Sequence, residues 1–115
     1  MGDALVSTRR LADGSVVIDI RGEVDAATAD QLRTVIINTI TTTRPVRLVV
    51  DMLHVTFVDS TGIGALASGH NAAQRMGVVF AVVNLAPFVE HQLRMLGLMD
   101  AFGLDRSAGP PPPSR

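Results

Sequence analysis

The chain has no cysteine. That excludes disulfides, thiolate metal sites and a cysteine nucleophile, and it fits a reducing compartment, so the cytoplasm is the expected location. A surplus of either charge is also missing. Lys and Arg total 10 against 11 Asp and Glu, a net charge of -1, which creates no field to gather nucleic acid or an anionic membrane. Neither is expected as a direct partner. Long hydrophobic runs are absent too: Val78 to Val83 falls far short of the roughly 18 residues a membrane span needs. The N-terminus has no basic segment followed by an apolar one, so no export signal is read.

What remains is an ordinary globular composition, 47% hydrophobic and 18% charged over 115 residues, enough for one core and little room for a second. The stretch from Leu48 to Gly77 organises it. An apolar run (Leu48, Val49, Val50, then Val55, Phe57, Val58) meets Asp59-Ser60-Thr61-Gly62-Ile63-Gly64, and a small-residue segment follows. The pattern predicts strand, polar loop, helix. Ser60 is placed to cap that helix, its oxygen accepting from N–H groups two or three residues on, with Thr61 as the first helical residue. Of the 12 residues from Gly62 to Ala73, eight are Gly, Ala or Ser, so another surface could approach closely.

Elsewhere the punctuation is clear. Asp13-Gly14 predicts a tight turn between strands at Leu5 to Arg10 and Ser15 to Arg21. In the second of these, Val16, Ile18 and Ile20 alternate with a mixed face, which predicts a sheet covered mainly on one side. After Gly22-Glu23-Val24-Asp25, Thr28 and Gln31 have capping-box spacing, and a helix from about Ala27 to Thr42 is expected, ended by Arg44-Pro45. A strand over Val46 to Met52 and a helix over Thr61 to Met76, stopped by Gly77, come next. Val78 to Val83, apolar throughout, reads as a strand buried on both faces. Pro87 opens a third helix with Val89, Leu93 and Leu96 on one face and Gly97 at its end. Together these elements predict one α/β domain over residues 1–106, a mixed sheet of four to five strands with about three helices. Residues 107–115, with four consecutive prolines, are expected to form an extended unpacked tail. Deleting them should leave the melting temperature unchanged; a loss of several degrees would mean that the tail packs on the domain.

Enzymatic readings are weak. Gly62-x-Gly64-x-x-Ala67 formally matches a dinucleotide fingerprint, but the acidic residue needed about 20 positions later is missing. His54, His70 and His91 lie in different expected elements and show no metal-ligand spacing. Glu23, Asp25 and Asp59 follow strands and could act as an acid–base pair or hold a divalent ion, though caps and solvated loop charges explain them more simply. No cofactor is expected.

The Gly22-Glu23-Val24-Asp25 turn, the helix beginning near Thr28, and above all Val58-Asp59-Ser60-Thr61-Gly62-Ile63-Gly64 resemble the STAS domain, over about residues 5 to 105. The resemblance implies a STAS-like fold and a stand-alone anti-sigma factor antagonist that works by binding. In such proteins the serine after the aspartate, here Ser60, is phosphorylated by the anti-sigma factor, itself a serine kinase. Only the unphosphorylated form captures that partner and frees the sigma factor. A phosphatase is a further implied partner, and the chain is expected as a monomer or weak homodimer. Glu23, Asp25, Asp59, Ser60, Thr61, Gly62, Ile63 and Gly64 are the implied partner-binding set. One departure from the family pattern is expected at the end: Ala101 to Leu104 offers only a short strand, and the final family helix is missing. Two other readings stay open, a non-switching STAS scaffold or accessory subunit of a stress-signalling or transport complex, and a small nucleotide-binding enzyme.

Overall fold

The computed structural model of the protein describes residues 4–99. They form a mixed sheet in the order β1-β2-β3-β4, with three α-helices. Strand β1 (Ala4–Arg10) pairs antiparallel with β2 (Ser15–Val24). The turn between them is closed by the Leu11 N–H to Ser15 O bond of 2.8 Å and by the Asp13 carboxylate on the Ser15 N–H at 2.9 Å. From there every connection carries a helix: α1 (Ala26–Asn38) leads to β3 (Arg47–Val58), α2 (Ser60–Met76) to β4 (Val79–Val83), and α3 (Pro87–Met95) follows. Strands β2, β3 and β4 are therefore parallel. The expected fifth strand, the missing final helix and the proline tail all lie outside the described residues.

The register explains the core. Val16, Leu48 and Phe80 form one row across the three parallel strands, and Ile18, Val50 and Val82 the next, all buried. Gly69 of α2 faces Ile36 of α1 and Phe80 of β4, so both helices pack with this face of the sheet. On the other face Val17 is buried while Val49 and Ala81 are half-buried, so cover there is partial, as the alternation in β2 predicts.

Several boundaries differ from the expectations. Strand β3 does not stop at Met52 but continues to Val58, and β2 continues through the Gly22-Glu23-Val24 segment read as a turn. Register shifts between Asp19 and Arg21 and between Gly22 and Glu23 place extra residues in β3, so its buried positions fall at Met52, Val55 and Val58, three apart. Gly22 takes φ +103 at the second shift, a conformation that strongly favours glycine. The capping box of α1 is formed by Asp25 and Thr28, not Thr28 and Gln31, because Asp25 is the residue whose extended backbone precedes the first turn. After Asn38 the helix loosens into a π-helical turn, Thr39–Thr43, where Thr39, Thr41 and Thr42 donate back to carbonyls one turn earlier. Strand β4 is not buried on both faces: Val79 is 59% exposed, on the same partly covered face as Ala81. In α3, Val89 and Leu93 are buried but Leu96, just past the helix, is exposed; Gly97 turns the chain at φ +73.

Candidate functional site

The carboxyl ends of β2 and β3 are adjacent, and each strand feeds directly into a helix. Two helix N-termini therefore emerge side by side at this end of the parallel strands. Asp25 caps α1, its Oδ1 accepting from the N–H groups of Ala27 (3.0 Å) and Thr28 (3.3 Å), while the Thr28 hydroxyl accepts from the Asp25 N–H at 3.0 Å. Asp59 caps α2 in the same way, accepting from the N–H groups of Thr61 (2.9 Å) and Gly62 (3.1 Å). The two starts are tied together by the Asp59 N–H, which donates to the Val24 carbonyl at 3.1 Å.

This geometry corrects the reading of Ser60. The cap is Asp59, whose backbone is extended, and Ser60 rather than Thr61 is the first helical residue. An aspartate at the cap leaves the serine hydroxyl unemployed. Ser60 is exposed, and among the described residues no side-chain hydrogen bond involves it. Thr61 differs: its hydroxyl donates to Asp59 Oδ1 at 2.5 Å. That bond comes first among the causes that hold the Asp59 carboxyl below the ordinary aspartate range, followed by the N–H groups of Gly62, Thr61 and Ala26, with partial desolvation opposing them.

A folded-state value below the unfolded one, about 3.9 for aspartate, means that ionised Asp59 stabilises the fold above that pH, and the contribution is lost as pH falls through the folded value. The first turn of α2 is thus expected to loosen only on acidification below about pH 4. The Asp59 carboxyl carbon, followed by NMR, should titrate below the ordinary aspartate midpoint, and the Thr61 and Gly62 amide signals should move with it. A midpoint at or above the ordinary value would contradict the capping geometry.

The remaining site residues divide by burial. Glu23, Ser60, Thr61 and Gly64 are exposed and Asp25 and Asp59 half-buried, all at this end of the sheet. Gly62 and Ile63 are buried. A Cβ on Gly62 would lie 2.7 Å from Val24 Cγ1, 2.9 Å from Val58 Cγ1 and 3.0 Å from the Val24 carbonyl oxygen. The small residues of α2 thus serve close approach inside the molecule more than to a partner: Gly62, Ala65, Gly69, Ala72 and Ala73 are all buried, leaving Gly64 as the exposed one near the start. Phe57 was not anticipated. It is the register partner of Glu23, alternates with buried Val58, and is 45% exposed beside the acidic loops. Its exposure could be found from sequence only by knowing the bulges of β3. Among the described residues no ion pair involves Glu23, Asp25 or Asp59, so no side-chain cation offsets their charge. No group of three or more His, Asp and Glu among those residues could hold a metal ion, and no helix there is long and apolar enough to cross a membrane.

Comparison with known proteins places this architecture. The STAS domain family profile matches residues 8–109. An anti-sigma factor antagonist from Mycobacterium paratuberculosis is similar in structure, with 27% sequence identity, a TM-score of 0.74 and coverage of 87% of this chain and 83% of that one. The Bacillus cell fate determinant SpoIIAA, solved in its phosphorylated form, shares the fold at 20% identity and a TM-score of 0.69, over 84% of this chain and 86% of that one. The murine solute carrier 26 family member A9 anion transporter shares it too, at 19% identity and a TM-score of 0.69, over 93% of this chain but 20% of the transporter.

Proposed function

The chain belongs to the STAS domain family, and we propose that it is an anti-sigma factor antagonist whose binding to an anti-sigma serine kinase is switched off by phosphorylation of Ser60. The observation that carries this reading is the state of the Ser60 hydroxyl: exposed, unbonded, at the first position of α2, with capping already performed by Asp59. A kinase can take such a hydroxyl without dismantling the helix start, and the N-terminal dipole tolerates the phosphate that results. The similarity to an anti-sigma factor antagonist and to a protein solved in phosphorylated form supports it. The partner would contact Glu23, Asp25, Asp59, Ser60, Thr61 and Gly64, with Phe57 as an aromatic anchor, while Gly62 and Ile63 shape the loop from beneath. On this reading the protein is a kinase substrate rather than an enzyme, a phosphatase would reset it, and it acts in the cytoplasm.

Phosphate is expected on Ser60 and not Thr61, because the Thr61 hydroxyl is held by Asp59 and phosphorylating it would remove that donor from the cap. Mass spectrometry after incubation with the cognate kinase distinguishes the two, and phosphate on Thr61 alone would move the site by one residue and break the reading. A second reading, a STAS scaffold or accessory domain that binds without switching, has one observation in its favour. The same fold is matched over 93% of this chain by part of an anion transporter.

A further inference from the structure

Far from Ser60, at the amino ends of β2 and β3, the β1–β2 turn and the segment before β3 enclose a cleft of about 360 Å³. Strand rise puts the two ends of β3 on the order of 35 Å apart. The cleft is lined among others by Arg10, Leu11, Val16, Thr43, Arg44 and Val46. Its size falls within the range of small-molecule sites, roughly 300 to 1,000 Å³. Leu11 and Val46 are 40% and 63% exposed and offer apolar surface along the cleft.

Three observations define what the cleft would take. First, among the described residues neither Arg10 nor Arg44 forms an ion pair, and the acid of this turn, Asp13, accepts from the Ser15 N–H. Second, Thr39, Thr41 and Thr42 donate to carbonyls of their own helix, whereas Thr43, in the cleft wall, has no such bond among the described residues. Third, Arg44, which lines the cleft, adopts φ +49, a left-handed conformation that glycine or asparagine takes at lower cost. Guanidinium groups match the planar or tetrahedral oxygens of carboxylates and phosphates.

We propose that this cleft binds a small organic anion, with a carboxylate or phosphate group held by Arg10 and Arg44 and an apolar body against Leu11 and Val46. The site is independent of Ser60 and of the switching reading. It is tested with the ¹⁵N-labelled full chain titrated with octanoate, n-octyl phosphate, 1-octanol and inorganic phosphate, each below any micellar concentration. One or both amphiphilic anions are expected to give saturable shifts centred on the amides of Leu11, Gly14, Thr43 and Val46, with octanol and inorganic phosphate at least tenfold weaker. The stronger of the two anions identifies carboxylate or phosphate as the preferred group. Arg44→Gly should weaken binding at least tenfold without lowering the melting temperature, because it relieves the left-handed residue; Arg10→Gln should weaken it similarly, and Ser60→Ala should not change it. Absence of saturable shifts with either anion, equal binding of octanol, or unchanged affinity in both arginine variants would overturn the proposal.

Discussion

Gly62→Ala is expected to destabilise the domain by about 2 to 3 kcal/mol, while Gly64→Ala, two residues along the same helix, stabilises it by about 0.5 to 1 kcal/mol. The pair separates packing from helix propensity. A methyl on Gly62 would press on two valines at 2.7 and 2.9 Å and on the backbone oxygen of Val24 at 3.0 Å. The valines sit on adjacent strands of a close-packed core, and the carbonyl already accepts the Asp59 N–H that joins the two loops. Yielding therefore means lifting the start of α2 off the sheet. Around Gly64 nothing lies within 4 Å of the added carbon, so alanine gains its usual helix advantage. Thermal unfolding of the two variants measures this, and equal melting temperatures would show that α2 does not sit as closely on Val24 and Val58 as described. Because the cap and Ser60 ride on the same turn, Gly62→Ala should also blunt binding of the proposed partner.

Most of the fold was legible because residues with strong backbone preferences punctuate it. Asp13-Gly14, Pro45, Gly77, Pro87 and Gly97 each mark a boundary within a residue or two of the observed one. The second half of β3 was not legible, since two irregularities shift its inward positions to every third residue and no period-two pattern survives beyond Met52. Strand β4 misled for the opposite reason: a run of apolar residues reads as interior, yet one face of the sheet is only partly covered and leaves Val79 exposed. At the candidate site, the sequence located the loop between β3 and α2 and missed the division of labour within it. Asp59 and Ser60 are both good caps, and which one takes the extended cap position is decided by the hydrogen bond from Asp59 to the neighbouring strand, a tertiary contact. A similar ambiguity between two good caps placed the expected cap of α1 at Thr28, where the structure has Asp25.

Ser60→Asp is expected to weaken binding to the proposed anti-sigma partner at least tenfold while leaving the fold intact. Within the domain the added carboxylate sits in the first turn of α2, where a negative charge is favoured by typically 0.3 to 1 kcal/mol, so the melting temperature should hold or rise slightly. The partner meets a different environment. Asp59 is adjacent, Asp25 caps the neighbouring helix, Glu23 lies on the adjoining strand, and no arginine or lysine of the described fold pairs with any of them. A further charge must be desolvated against a surface that accepted a neutral hydroxyl, and the helix end returns less than that costs. A tenfold loss needs only about 1.4 kcal/mol, small beside the penalty for burying an unpaired carboxylate. Ser60→Ala removes the acceptor but not the shape, since the wild-type hydroxyl makes no bond within the described fold, so it should bind like wild type and resist phosphorylation. Titration calorimetry of the three proteins against the purified partner measures the difference. Equal affinity for all three would sink the switch and leave the scaffold reading, because a surface indifferent to charge at Ser60 cannot be controlled by phosphorylating it.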